Sequence, residues 1–450
     1  AHTVNKPDLI DISVLEMNPD NPNQYKFDGE WKDLEVRQAP IEIKLFGPIR
    51  WTVKREALWS VHGPVVRQPH GVYAIRYAGM ENVNQVEQWY RMNKARTEEE
   101  WLAAMRMRAN ASLNSVYADK AGNIRYIYNC LTPVRAEGYD WRQYLPGDTS
   151  ETLWTEYIPF EAMPQSANPP SGFLINCNNT PFTATTGEGN PDPAAVSATA
   201  GIETHMTNRG LRAIEIFGAD DAIAWDEFKA YKYDLKFSEE SSTAKAWRHL
   251  CAQTSDDPSI AEALEVLRKW DLSADAANTS AALALLTLQP DPDNNPEPLD
   301  EAGTRKLLDD LAFAARILKR EHGANGGLET PWGEVNRLHR GDVKLPLDGA
   351  GDVLRAVYSI FKRDGEFYGM EDGRLPGRGG DCYFMFVRWD ADGTLHSESI
   401  HQYGSATQDR ESPHFSDQAE LFVRKETKPV WFDEASVRAN LSREYRPGEE

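Results

Sequence analysis

The apolar positions of the chain follow two periods. From about residue 9 to about residue 230, short alternating or apolar runs are separated by Gly, Pro, Asn and Asp, a pattern that predicts strands. Examples are Ile41, Ile43 and Leu45 in residues 41–45, and the runs at 71–75 and 124–128. One helix is predicted inside this region, over residues 98–109, where Trp101, Leu102, Met105 and Met107 stand among charged residues as core-facing positions. Further on the period changes. Asp257-Pro258 predicts a capped helix start, and Ile260, Leu264 and Leu267 follow at i, i+4 and i+7. Leu307, Leu308, Leu311, Ala315 and Leu318 make one apolar face of a helix over residues 300–321, and residues 289–298, rich in Pro, Asp and Asn, predict a loop between helices. Strand signals return at 382–389 and 394–400, joined by Asp390, Ala391, Asp392 and Gly393 as a hairpin turn. That turn is similar to the opening of a calcium loop, yet no Glu follows at the required offset. The pattern divides the chain into a sheet region at 1–230, a helical section packed on the core at 231–330, and a second sheet region of the same domain at 331–450.

Composition narrows the class. At 450 residues, with 40% hydrophobic and 26% charged, the chain can bury a sizeable core. Asp plus Glu number 70 against 49 for Lys plus Arg, a net charge of -21, which argues against nucleic acid or an anionic membrane as partner. No apolar run approaches the length of about 18 residues expected of a membrane span. The four cysteines, Cys130, Cys177, Cys251 and Cys382, are scattered with no C-x-x-C pair, so neither zinc nor a dithiol redox site is indicated, and Cys177 reads as a small core side chain.

The sharpest local contrast lies at residues 172–181, where Phe173, Leu174 and Ile175 run into Asn176, Asn178 and Asn179. This predicts a buried strand whose tip presents carboxamides. Local evidence leaves two readings open: an amide N–H aimed at a developing oxyanion, or side chains that cap the strand and shape a turn. Other chemistry is poorly supported. Ser412, His414 and Asp417 lie together, but a Ser and a His two residues apart on one loop rarely face each other, and no G-x-S-x-G elbow occurs. There is no H-E-x-x-H, and the glycines between 373 and 380 lack the Lys-Ser or Lys-Thr of a phosphate loop.

The segments around this run carry a resemblance. N-x-x-Y-A-D from Asn114 to Asp119 is followed by Gly122-Asn123-Ile124, then Pro133 and Arg135, Gly138 and Asp140, Leu145-Pro146-Gly147, and N-P-P-S-G at 168–172. Asn208-Arg209-Gly210 with Arg212, Tyr403-Gly404-Ser405 and residues 412–418 continue the series. In this order they resemble the β-chain of the penicillin acylase family, N-terminal-nucleophile amidohydrolases that include acyl-homoserine lactone acylases. The resemblance covers nearly the whole chain and is weakest between about residues 225 and 330. It implies an α+β fold, an αββα sandwich of two antiparallel sheets between helices, and hydrolysis of an acyl amide to a carboxylic acid and an amine. N-acyl-homoserine lactones and acylated β-lactams lead the substrates it implies, followed by lipopeptides.

In that family the nucleophile is a Ser at the first residue of the β-chain, and its own α-amino group is the base. This chain opens with Ala1, and residues 1–8 resemble a segment well inside the β-chain, so the nucleophile is expected on polypeptide outside these 450 residues. The resemblance assigns the oxyanion donors to the Val4 backbone N–H and the Asn178 side chain, and places Arg209 beside them. It assigns Trp89 and Leu113 to the acyl pocket. It further implies a structural calcium in some members, with Asp8 and Asp11 as side-chain ligands, the Ile10 carbonyl, and Asp192. Expected partners are the small-molecule acyl amide, a separate α-chain and the N-terminal part of the β-chain; the expected location is periplasmic or secreted. The rival reading is a binding or structural protein that keeps the scaffold without catalysis.

Overall fold

The computed structural model describes residues 1–291, 298–363, 365–446 and 448–449. Most of the loop predicted at 289–298 therefore lies outside the described residues. Two compact units are present, Ala1–Met206 and Thr207–Glu450.

In the first unit, a four-stranded antiparallel sheet runs in the order His2–Thr3, Ser112–Ala118, Ile124–Cys130, Gln165–Ala167. Its central hairpin is the N-x-x-Y-A-D segment, and the motif explains the turn. Asp119 Oδ1 accepts the N–H groups of Ala121 (2.9 Å) and Asn123 (3.1 Å), while Gly122 takes φ +88°. A six-stranded sheet has the order Leu145–Pro146, Ile10–Val14, Gly71–Tyr77, Gly63–Gln68, Ile49–Ser60, Glu35–Phe46. Its last two strands form a long ribbon that pairs Ile41 with Val53 and Ile43 with Trp51, and Trp51 and Phe46 are 61% and 70% exposed.

Ile10–Val14 inverts the pattern its sequence suggests. Asp11 and Ser13 are buried, whereas Ile10 is 59% and Val14 40% exposed. The cause is a buried cation. Arg135, whose side chain is fully enclosed, donates to Asp11 Oδ2 from Nε (3.1 Å) and Nη2 (2.9 Å), and to Asp8 Oδ2 from Nη1 (3.2 Å). The Trp154 indole adds a third donor to Asp11 Oδ2 at 2.6 Å. Burial pushes the Asp11 carboxyl above its usual range, and Arg135 and Trp154 pull it back.

Two helices interrupt these sheets where one was expected: Gln85–Lys94, a largely polar segment without a clear apolar face in sequence, and Glu98–Met105. The second stops short of residue 109 because Arg108 adopts φ +44°.

The second unit opens on helices, Asn208–Gly218 and Trp225–Lys232, so the helical section begins ahead of residue 231. Ser242–Cys251, Pro258–Leu267, Ala281–Leu288 and Glu301–His322 follow and build the main core with Trp270 and Trp332. The predicted cap holds: Asp257 Oδ1 accepts the Ser259 N–H at 2.8 Å; Asp300 Oδ1 likewise caps its helix through the Gly303 N–H at 2.9 Å. Beyond them lie small sheets, including the predicted hairpin Tyr383–Trp389 with Leu395–His401. No helix among the described residues is long and apolar enough to cross a membrane.

Candidate active site

Residues 172–181 do not form the expected strand. No strand is assigned from 173 to 180, and of the three apolar residues only Ile175 is buried, its N–H bonded to the Ala184 carbonyl. Side chains set this backbone instead of a ladder: Asn176 Oδ1 accepts the Asn178 N–H (3.1 Å), and Asn179 Oδ1 accepts the Cys177 N–H (2.9 Å). Asn178 itself takes a left-handed φ of +58°, a conformation Asn tolerates better than most residues. The labour is divided among the carboxamides. Asn176 and Asn179 shape the turn, and Asn178 reaches out of it.

Its target is the segment at residues 1–8. Asn178 Nδ2 donates to the Val4 carbonyl at 2.8 Å, and the buried Asn114 sends Nδ2 to the same oxygen at 3.2 Å. Asn114 is fixed in turn by the Tyr126 hydroxyl, which donates to its Oδ1 at 2.8 Å. The segment is held along its length: Thr3 pairs with Asn114, the Lys6 N–H donates to Glu203 Oε1 (3.1 Å), and the Asp8 N–H to the Gly201 carbonyl (3.0 Å). Within this clamp the Val4 N–H bonds to none of the described residues, and Val4 is 64% exposed. Val4 and Asn178, far apart in sequence, thus meet through the Val4 carbonyl.

Trp89 borders the same segment. Its ring meets His2 edge-on at 4.8 Å between centroids, and its indole N–H donates to Asn110 Oδ1 at 3.1 Å. Leu113 lies on the strand beside Asn114, in register with Asn129. His2 is lowered to about 4, chiefly by burial, so its ring is neutral at pH 7, with Nδ1 2.9 Å from Ser115 Oγ.

Arg209 belongs to the second unit, at the second residue of Asn208–Gly218. Its Nε lies 3.4 Å from Asp352 Oδ1. Asp352 also accepts the Asn208 N–H (2.7 Å) and the Arg209 N–H (3.4 Å), so one buried carboxylate seats both the guanidinium and the helix start. Burial pushes Asp352 above the usual carboxylate range, with Arg209 opposing.

The oxygens expected to hold calcium are otherwise engaged. Asp8 and Asp11 surround Arg135, and Asp192 Oδ1 caps the turn Pro193–Ala195 through the Ala194 N–H at 2.8 Å. A calcium ion needs six to eight oxygens, and among the described residues no three His, Cys, Asp or Glu converge on one point. The donors as arranged fit a guanidinium and do not fit the ion, although the buried Asp11 Oδ1 has no partner.

Ser412, His414 and Asp417 are no relay. The His414 ring meets Asp417 Oδ2 at 2.8 Å, but Ser412 Oγ accepts the His414 backbone N–H. Sequence reasoning assigned no site role to Asn114, Tyr126, His2 or Glu203. Asn114 opens the N-x-x-Y-A-D motif, but its contact with residues 3 and 4 spans more than a hundred residues, and no local pattern announces it.

Comparison with known proteins gives these contacts a setting. The family model for penicillin amidase matches residues 1–439. Penicillin G acylase of Escherichia coli is 32% identical over 39% of this chain and 20% of its own length. Acyl-homoserine lactone acylase PvdQ of Pseudomonas fluorescens is 21% identical over 98% of this chain and 61% of its own, and that of Pseudomonas putida is 22% identical over 99% and 61%. The chain thus spans about three fifths of the length of these acyl-homoserine lactone acylases. The structure of a thermostable penicillin G acylase from Alcaligenes faecalis superposes with a TM-score of 0.67 at 20% identity, covering 99% of this chain and 87% of that one, so the α+β fold is that of an N-terminal-nucleophile hydrolase of the penicillin acylase kind. The chain belongs to the penicillin amidase family.

Proposed function

We propose that this chain is the larger part of the β-chain of an acylase that hydrolyses N-acyl amides to a carboxylic acid and an amine. The Val4 N–H and the Asn178 carboxamide would stabilise the oxyanion of the tetrahedral adduct. The supporting observation is the unpartnered N–H of Val4, an exposed residue whose own carbonyl is held by Asn178 Nδ2 at 2.8 Å. A donor fixed before the reaction needs no reorganisation as charge develops, and one such donor contributes about 3 kcal/mol to the transition state. The nucleophile would be an N-terminal Ser on polypeptide outside this chain. Trp89 and Leu113 would face the acyl group. N-acyl-homoserine lactones are the first substrate class to try, since the acyl-homoserine lactone acylases match 98% of the chain or more, and acyl penicillins the second. A separate α-chain, and a periplasmic or secreted location, belong to the same proposal.

The test combines mass spectrometry of the mature subunits with amine release from N-acyl-homoserine lactones and penicillin G. A Ser-initiated subunit containing these residues, together with amine release, is expected. A mature protein with no such subunit and no release from any acyl amide would overturn the reading.

A further inference from the structure

A cavity in the other unit is lined by residues to which the proposed hydrolysis assigns no role. It measures about 300 Å³ and is lined by Arg337, His339, Lys344, Arg374 and Arg378, with Glu371 and Asp372. Four fixed cations against two carboxylates leave two positive charges there, in a chain whose net charge is -21. The like charges of these side chains repel one another, and an anion in the cavity would relieve that repulsion.

Backbone geometry brings these side chains together. Arg337 and His339 alternate with the buried Asn336 and Leu338 along Asn336–Arg340, so both stand on one face, and Lys344 lies directly across from His339 on Val343–Pro346. Pro376 pairs with Arg337 from the third strand of the same sheet. Arg374 leaves a tight turn in which Asp372 and Gly373 both take positive φ, +49° and +74°, and Glu371 and Arg374 exchange their backbone hydrogen bonds. Arg378 lies over Gly369 so closely that a Cβ there would fall 1.8 Å from Nη2, and its guanidinium sits 4.7 Å from the Tyr368 ring centroid.

Of the four cations only Arg337 has an acidic partner, with Nη1 3.7 Å from Glu334 Oε2. Lys344, Arg374 and Arg378 form no ion pair with any described residue. Arg337 donates to the Gly333 and Lys344 carbonyls at 3.1 and 3.2 Å, and its buried Nε has no partner. Burial and then the neighbouring Arg374 charge oppose protonation of Arg337, while Glu334 favours it.

We propose that this cavity binds a small oxyanion carrying two or more negative charges, a phosphoryl group or a compact dicarboxylate, with Arg374 and Arg378 as its principal donors. Planar guanidinium forks match both anions, and each charge-assisted pair strengthens binding about tenfold or more. Gly369 serves the site by leaving room for Arg378.

The experiment is calorimetric titration of the full chain with inorganic phosphate, malonate and, as monovalent control, chloride. Hydrogen exchange of the wild type, with and without anion, maps the site. The expected result is binding of phosphate or malonate with Kd at or below about 1 mM, slowed exchange confined to 336–346 and 368–378, and no effect of chloride. Arg374→Gln and Arg378→Gln each weaken binding about tenfold, while the ribbon variant Arg55→Gln does not. Preference for phosphate or malonate identifies which source the site serves. Absence of dianion binding in the wild type, protection elsewhere, or unchanged affinity in folded Arg374→Gln and Arg378→Gln overturns the proposal. The wild-type exchange map decides the matter even if a variant fails to fold.

Discussion

Replacing Arg135 by Met should cost more than any surface change in the first unit, and the cost should depend on pH. The guanidinium is fully enclosed and makes three hydrogen bonds to carboxylates, two of them to Asp11, which is 3% exposed. Met preserves much of the volume but leaves the Asp11 charge with the Trp154 indole as its remaining donor. Breaking a buried pair from one side costs about 3 to 5 kcal/mol, most of it the uncompensated charge. Asp11 already titrates above its ordinary value of 3.8 in the folded chain, burial being the largest cause. The folded state therefore binds this proton more tightly than the unfolded state. Its ionisation costs stability at neutral pH, and that cost disappears as pH falls toward 3.8. Arg135→Met raises the folded value further, so its deficit should be greatest at neutral pH and shrink on acidification. Because the chain holds two units, local opening is the proper readout. Hydrogen exchange over Ile10–Val14 should accelerate roughly a hundredfold to a few thousandfold at neutral pH. The double variant Asp11→Asn/Arg135→Met should recover part of the loss. A deficit under about 1 kcal/mol, a deficit independent of pH, or a double variant no better than Arg135→Met would refute the argument.

Other expectations follow from single contacts. Asn114→Ala removes the acceptor of the buried Tyr126 hydroxyl and one grip on the Val4 carbonyl, and should lower stability by about 1 to 3 kcal/mol, read as faster exchange at residues 1–8. Asp257→Ala deletes the cap of Pro258–Leu267 and should cost about 1 kcal/mol in urea titration, with Asp257→Asn close to wild type. The Cys130 thiol is buried and pushed up to about 12, whereas Cys382 is exposed; iodoacetamide at pH 8 should label Cys382 first and spare Cys130 until the chain unfolds.

Where the sequence predicted well, local chemistry and tertiary structure agree. The Asp257-Pro258 start and the hairpin closed by Asp119 and Gly122 each need only residues within a few positions of one another. Ile10–Val14 shows where local alternation and tertiary structure part. Alternation there assigns the isoleucines to the interior, but a buried Arg135 arriving from more than a hundred residues away reverses the faces, and no window of sequence contains both partners. The run at 173–175 looked like a strand because its composition is apolar, yet the asparagines that follow supply the backbone with side-chain hydrogen bonds and no neighbouring strand pairs with it. The contact between Val4 and Asn178 was partly legible: the motif series named both residues, and Asn178 Nδ2 donates to the Val4 carbonyl at 2.8 Å. The Asn114 and Tyr126 support behind them was not, because a fully buried amide network is specified by three-dimensional proximity and not by spacing.

The most direct measurement is steady-state hydrolysis of an N-acyl amide by the complete protein carrying Asn178→Ala, beside wild type. If this carboxamide and the Val4 N–H hold the oxyanion, kcat should fall by about a hundredfold to a thousandfold with KM little changed and the circular dichroism spectrum preserved. A folded variant that turns over within a few-fold of wild type would contradict the account.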